Sequence, residues 1–166
     1  MRENHYAGLE ACFMSKSYEA IKQYLDDQEW RYDYREEDEY FIMRMNMQSV
    51  DSCTCIIQLK ENDDFTVYSI FPLKVAQDKL AAAAEYIARA NYGLTIGNFE
   101  LDFDDGELRY KATAPWKDTP VDPALIDRIV NIGFCMVDRY APGLLSVLYG
   151  NVAPKEAIDK IENSED

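Results

Sequence analysis

Hydrophobic positions along this chain keep two periods. In some stretches they fall on every second residue, and in others on every third or fourth. Phe41, Met43, Met45 and Met47 alternate with Ile42, Arg44 and Asn46, and Cys53, Cys55, Ile57 and Leu59 alternate with Thr54, Gln58 and Lys60. A third run, Phe65 to Phe71, is rich in β-branched and aromatic residues. A period of two puts successive side chains on opposite faces of a strand. The breaks at 48–52 and 61–64 are short enough for hairpins, so the three runs predict an antiparallel meander. Trp30 to Tyr34 is a further short strand candidate ahead of the acidic turn Glu36-Glu37-Asp38-Glu39.

The other period marks helices. Tyr18, Ile21, Tyr24 and Leu25 form a narrow stripe that predicts a first helix ending near Asp27, with Ser15 or Ser17 as its cap. After Pro72, Leu80, Ala83, Ala84, Ile87 and Asn91 lie on one side of a second helix. Asp78 is its candidate cap, and Gly93 its left-handed stop. Phe99, Leu101 and Phe103 then alternate with Glu100 and Asp102 and return through Leu108, Tyr110 and Ala112. Asp105-Gly106 supplies the positive φ of the hairpin turn between them. Asp122 and Pro123 open a last helix as N-cap and first-turn proline. Its residues Leu125 to Val137 leave little polar surface, which suits burial, or burial on one side and pairing with another subunit on the other. Pro142-Gly143 is expected to kink or break it before Leu144 to Tyr149.

These elements predict one α+β domain over residues 15–150, in the order α-β-β-β-α-β-β-α, with an antiparallel sheet of about five strands under packed helices. Residues 1–14 show no period and are expected to form a flexible arm. Residues 151–166 are expected to form an acidic tail, with a turn or two of helix around Lys155 to Ile161.

Composition narrows the function. The 166 residues carry 31 acids against 17 Lys and Arg, a formal net charge of −14. Such a field repels a phosphate backbone, and no basic cluster offsets it, so neither nucleic acid nor an anionic membrane is an expected partner. Solubility accounts for the charge; a basic protein partner is the sharper alternative. No apolar run approaches the roughly 20 residues of a membrane span, and the N-terminus lacks the apolar core of a signal peptide, so a cytoplasmic location is expected. Cys12, Cys53, Cys55 and Cys135 are expected to be reduced thiols. The Cys53-Thr54-Cys55 spacing lacks the loop and histidines of a zinc site and reads as buried apolar positions.

Candidate chemistry is sparse. The one histidine, His5, precedes the first periodic residue, and no nucleophile elbow or glycine-rich phosphate loop is present. No cofactor is expected. Asp102-Phe103-Asp104-Asp105-Gly106-Glu107 looks like a calcium loop, but glycine falls at the fifth position rather than the sixth. It reads as a turn carrying solvated acids. Glu100, Asp102 and Glu107 lie close across the hairpin, yet acid/base work needs a cleft and a shifted pKa as well. Enzymatic activity is not expected. The methionines at 43, 45 and 47 could either line the core or form an adaptable grip for varied clients; Phe41 extends the same alternating face, which favours the core.

The second half carries a specific likeness. Leu80 to Asn91 form an alanine-rich helix ending in asparagine. Gly97-Asn98-Phe99-Glu100-Leu101-Asp102 and Asp105-Gly106-Glu107-Leu108-Arg109-Tyr110 follow, and Asp138, Tyr140, Pro142 and Gly150 extend the pattern. This set resembles the YbjN family of bacterial proteins, described as putative sensory transduction regulators, and the element order resembles that of type III secretion chaperones. Asn91, Gly97, Phe99, Glu100, Asp102, Gly106, Glu107, Tyr110, Asp138 and Tyr140 are the matching positions, structural or interacting. The resemblance implies no catalytic residues. It implies a bacterial, cytoplasmic protein that forms homodimers and works on an unidentified protein partner. Two readings follow: a regulatory interaction protein, or a chaperone holding an extended or partly folded client.

Overall fold

The alternating runs pair as their pattern requires. The computed structural model describes residues 16–60, 64–115 and 122–163. Strands β1 (Tyr32–Arg35), β2 (Tyr40–Asn46), β3 (Ser52–Leu59) and β4 (Phe65–Lys74) form the meander. A hairpin, β5 (Asn98–Leu101) and β6 (Glu107–Ala114), joins it through β6. All neighbours are antiparallel, in the order β1-β2-β3-β4-β6-β5. The sheet therefore has six strands rather than about five, because the candidate at Trp30 to Tyr34 pairs with β2, Tyr32 opposite Met43 and Tyr34 opposite Phe41. The arm expected over residues 1–14 lies outside the described residues.

One face of the sheet holds the core. Phe41, Met43, Cys53, Cys55, Ile57, Phe65, Val67, Leu108, Tyr110 and Ala112 point into it and are nearly inaccessible. Helices α1 (Lys16–Asp27), α2 (Leu80–Gly93), α3 (Pro123–Tyr149) and α4 (Pro154–Asn163) all lie on that side. The Tyr18 ring of α1 stacks on Phe41 at 5.3 Å. Tyr24 of α1 donates to Asp127 of α3 at 2.9 Å. α4, which covers the turn or two of helix expected near Lys155, buries Ala157 and Ile158 in the same core.

Three local expectations change. Asp78 falls within a single 3-10 turn, Gln77–Lys79, and α2 starts at Leu80 without a side-chain cap. Gly93 is the last residue of α2 and does not take a positive φ; among the described residues the left-handed glycines are Gly97 and Gly106. Most notably, α3 runs unbroken through Pro142. Proline removes the N–H that would bond the carbonyl four residues earlier, here that of Asp138. The Ser49 hydroxyl donates to that carbonyl at 2.8 Å, so the orphan acceptor is satisfied from the β2–β3 loop. At the other end of α3 the expected cap forms: the Asp122 carboxylate accepts from Ala124 N–H at 2.9 Å, with Pro123 following.

Candidate interaction surface

The ten positions that carry the family likeness cluster at two joints. The first is the β5–β6 hairpin and its seam with α2. Asn91, in the last turn of α2, uses both ends of its amide on one residue of β5. Its Oδ1 accepts from Phe99 N–H at 2.7 Å, and its Nδ2 donates to Phe99 C=O at 3.0 Å. β5 is the last strand of the sheet, so the side chain supplies the pair of bonds that a neighbouring strand would make. Asn91→Leu is expected to cost about 1–3 kcal/mol through those two lost partners. The check is amide hydrogen exchange, which should accelerate at Phe99 before it does elsewhere in the sheet; unchanged protection there would contradict the clamp.

Gly97 precedes β5 with φ +70° and lies against Lys111 C=O and the Tyr110 hydroxyl, leaving no space for a Cβ. Tyr110 donates from that hydroxyl to Ile96 C=O. Burial pushes its pKa up to about 12, so it stays a donor. Phe99 fills the core between Tyr110 and Tyr140, at ring separations of 5.2 and 5.3 Å.

The acids of the hairpin are committed to this joint. Asp102 C=O accepts Gly106 N–H and its carboxylate accepts Asp104 N–H, at 2.9 and 2.8 Å. Asp105 accepts Glu107 N–H at 2.8 Å and pairs with Lys74. The turn is thus wider than a two-residue hairpin, β5 ends at Leu101, and Phe103 stands 56% exposed at its tip. Arg109 reaches Glu100 at 2.9 Å and Glu107 at 3.5 Å, while Lys111 also pairs with Glu100. Burial raises the Glu100 pKa, but the hydrogen bonds from Lys111 and Arg109 outweigh it and hold the carboxyl below its usual range. An acid kept ionised between two cations is suited to bracing a hairpin and poorly suited to donating a proton. Among the described residues no group of three His, Cys, Asp or Glu is placed to hold a metal ion.

The second joint is at Asp138. Its carboxylate accepts the N–H groups of Gln48 and Ser49, both at 2.9 Å, while its carbonyl takes the Ser49 hydroxyl. One residue thereby fixes the β2–β3 loop to α3 beside Pro142. Two residues on in α3, Tyr140 is buried, donates to Glu162 of α4 at 3.2 Å, and accepts the Tyr86 hydroxyl on its carbonyl at 2.8 Å. Asp138→Ala is expected to cost about 2 kcal/mol by leaving two loop N–H groups without their acceptor. Thermal unfolding of the variant, read beside exchange at Gln48 and Ser49, checks this.

The cysteines divide. Cys53 and Cys55 are buried, and burial pushes the Cys53 thiol up to about 12 and that of Cys55 higher still, so neither is a ready nucleophile. Cys135 is exposed on the outer side of α3, and Cys12 lies outside the described residues.

With these positions bound into joints, one surface open to contact is the other face of the sheet. No described helix covers it. Ile42, Ile56 and Tyr68 stand directly beside one another on β2, β3 and β4, and Ile70 lies next to them; all four are half-buried. Arg109 lies over the Tyr68 ring at 4.4 Å, already paired with acids. Near the β1 edge the case is different. Arg31, Arg35 and Arg44 line a shallow depression of about 370 Å³ with Ile42, Thr54 and Asp33. None of the three arginines makes an ion pair among the described residues. Sequence analysis missed this cluster because Arg31 and Arg35 sit among eight acids between Asp26 and Glu39, and only strand pairing brings them to Arg44.

Comparison with known proteins gives the family. The profile of the YbjN family, described as a putative bacterial sensory transduction regulator, matches residues 17–146. The chain belongs to the YbjN family. The crystal structure of YbjN from E. coli, a protein described there as a putative transcription regulator, is similar in fold. Its TM-score is 0.52 at 14% identity, over 71% of this chain and 85% of that one. No protein with a curated description matches. All ten likeness positions fall inside the YbjN match, while α4 lies beyond it. No helix among the described residues is long and apolar enough to cross a membrane.

Proposed function

We propose that this YbjN-family chain is a non-enzymatic regulatory protein that acts in the cytoplasm through protein–protein contacts. One observation carries the proposal: a sheet face, covered by no described helix, that presents Ile42, Ile56, Tyr68 and Ile70 half-buried beside arginines without an ion pair among the described residues. A sheet face with contiguous apolar side chains suits contact with another polypeptide. The hairpin acids, by contrast, are engaged in turns and ion pairs, which supports a non-catalytic reading. A homodimer belongs to the same proposal, since the outer side of α3 keeps Ile132 and Met136 half-buried next to exposed Cys135.

A second reading, a chaperone for extended clients, draws on the shallowness of the same face, which suits an extended chain better than a helix. Affinity capture of the tagged protein from its host, with identification by mass spectrometry, separates the two. One stoichiometric folded partner is the expected result. A mixture of nascent or unfolded chains favours the chaperone, and an absence of any specific protein overturns both.

A further inference from the structure

We infer that the helix-free face at the β1 edge is a docking site for an acidic polypeptide segment with interspersed apolar side chains. The inference rests on the reading that the protein works by protein contact, and it names the chemistry of what is contacted. Three observations carry it.

The first is the sign of the charge. The chain carries 31 acids to 17 Lys and Arg, yet Arg31, Arg35 and Arg44 gather at one depression whose only acid is Asp33. The second is their spacing. Arg31 precedes β1 by one residue, so continuing the Tyr32–Met43 register sets it beside Arg44. Like charges directly opposed on neighbouring strands destabilise a sheet. The fold nevertheless leaves this pair without an ion pair among the described residues, although Arg109 and Lys111, farther along the same face, each have one. The Arg44 Nε donates to the Ser52 hydroxyl at 2.9 Å, which fixes its guanidinium while its charge makes no ion pair among the described residues. A ligand carboxylate would relieve the repulsion and meet donors in a fork geometry suited to it.

The third is the apolar row. Ile42 lines the depression and continues directly into Ile56 and Tyr68. Cross-strand neighbours are spaced about 4.8 Å apart, so the row is only about 10 Å long and takes two or three side chains of an extended segment. A nucleic acid, which is anionic along its whole length, would meet the acidic remainder of the molecule; a short segment carrying a few carboxylates would not.

The test uses the full-length protein to select from a phage-displayed library of short random peptides. Selected peptides are then synthesised with a fluorescent label and titrated by anisotropy against the wild type and two variants. Arg31→Glu/Arg44→Glu reverses the charge, and Ile56→Ser removes the middle of the row. All three proteins are first compared by circular dichroism. Exposed arginine sites tolerate substitution, so the double variant is expected to fold. The expected result is enrichment of sequences that mix Asp or Glu with Leu, Ile or Phe. Their affinity should fall at least tenfold with either variant and weaken as salt rises. Selection of basic peptides, binding unchanged in both variants, or no selected binder overturns the inference. So does a second copy as occupant, seen as a concentration-dependent dimer in sedimentation that the charge reversal abolishes. Capture of a folded host partner that still binds Arg31→Glu/Arg44→Glu overturns the docking site alone and leaves the regulatory reading standing.

Discussion

Met43→Asp is expected to abolish cooperative folding, whereas Met45→Asp should leave a folded protein. Both residues lie on β2 and point to the same face, and the alternating pattern treats them as equivalents. The structure does not. Met43 is 4% exposed and stands between Tyr32 of β1 and Cys55 of β3. Met45 is half-buried, one residue from the end of its strand. A carboxylate at position 43 would be desolvated with no cation within the core to pair with it, a change that costs about 4–5 kcal/mol or more. That is comparable with the lower end of the roughly 5–15 kcal/mol that holds a typical domain. A carboxylate at 45 reaches water and loses mainly apolar contact. Circular dichroism and urea titration of both variants check the pair. A folded Met43→Asp protein would remove this position from the core and revive the idea of a methionine grip.

Gly106→Val should be nearly as damaging, for a different reason. Gly106 has φ +75°, a region that costs a β-branched residue about 1–3 kcal/mol. Its α-hydrogens also face the end of β4. A Cβ there would sit 2.2 Å from Val75 C=O, with Val75 N–H at 3.0 Å. Those are backbone atoms, and they are tied in turn, because Val75 N–H donates to Gly106 C=O at 2.8 Å. Relief therefore requires the hairpin turn to part from β4. A total loss of about 3 kcal/mol or more is expected from backbone strain and overpacking together. The urea midpoint reads it directly, and Gly106→Ala should follow the same direction with the smaller strain of an unbranched side chain. An unchanged midpoint would show that the turn tolerates a side chain after all.

Most of the fold was legible in the chain because its signals are local. The alternation in 41–47 and 53–59 fixed both the strands and the face they bury, and Asp122-Pro123 marked the start of α3. What could not be read depends on residues distant in sequence. Pro142 announces a missing N–H, but the hydroxyl that compensates for it comes from Ser49, 89 positions before Asp138. β1 was half visible because only Tyr32 and Tyr34 reach the core, while Asp33 and Arg35 look like part of an acidic loop. The likeness positions were found by pattern, but the work each performs became clear only from its partners. Asn91 is a helix-terminal residue in sequence and a strand substitute in space. The arginine depression was invisible for the same reason: its members belong to three different segments and a strand pairing that no local period encodes.

The amide of Asn91 also sets a limit on assembly. A sheet with two free edges can add strands at both and extend indefinitely, as fibrils do. Here Phe99 of β5 already has both its outward bonds filled from within the same chain, and β1 is the other edge strand of the sheet. A strand added at β5 would find the Phe99 groups already taken, which disfavours growth through that edge. A single side chain thus makes one edge of the sheet a poorer place for a further strand than the other.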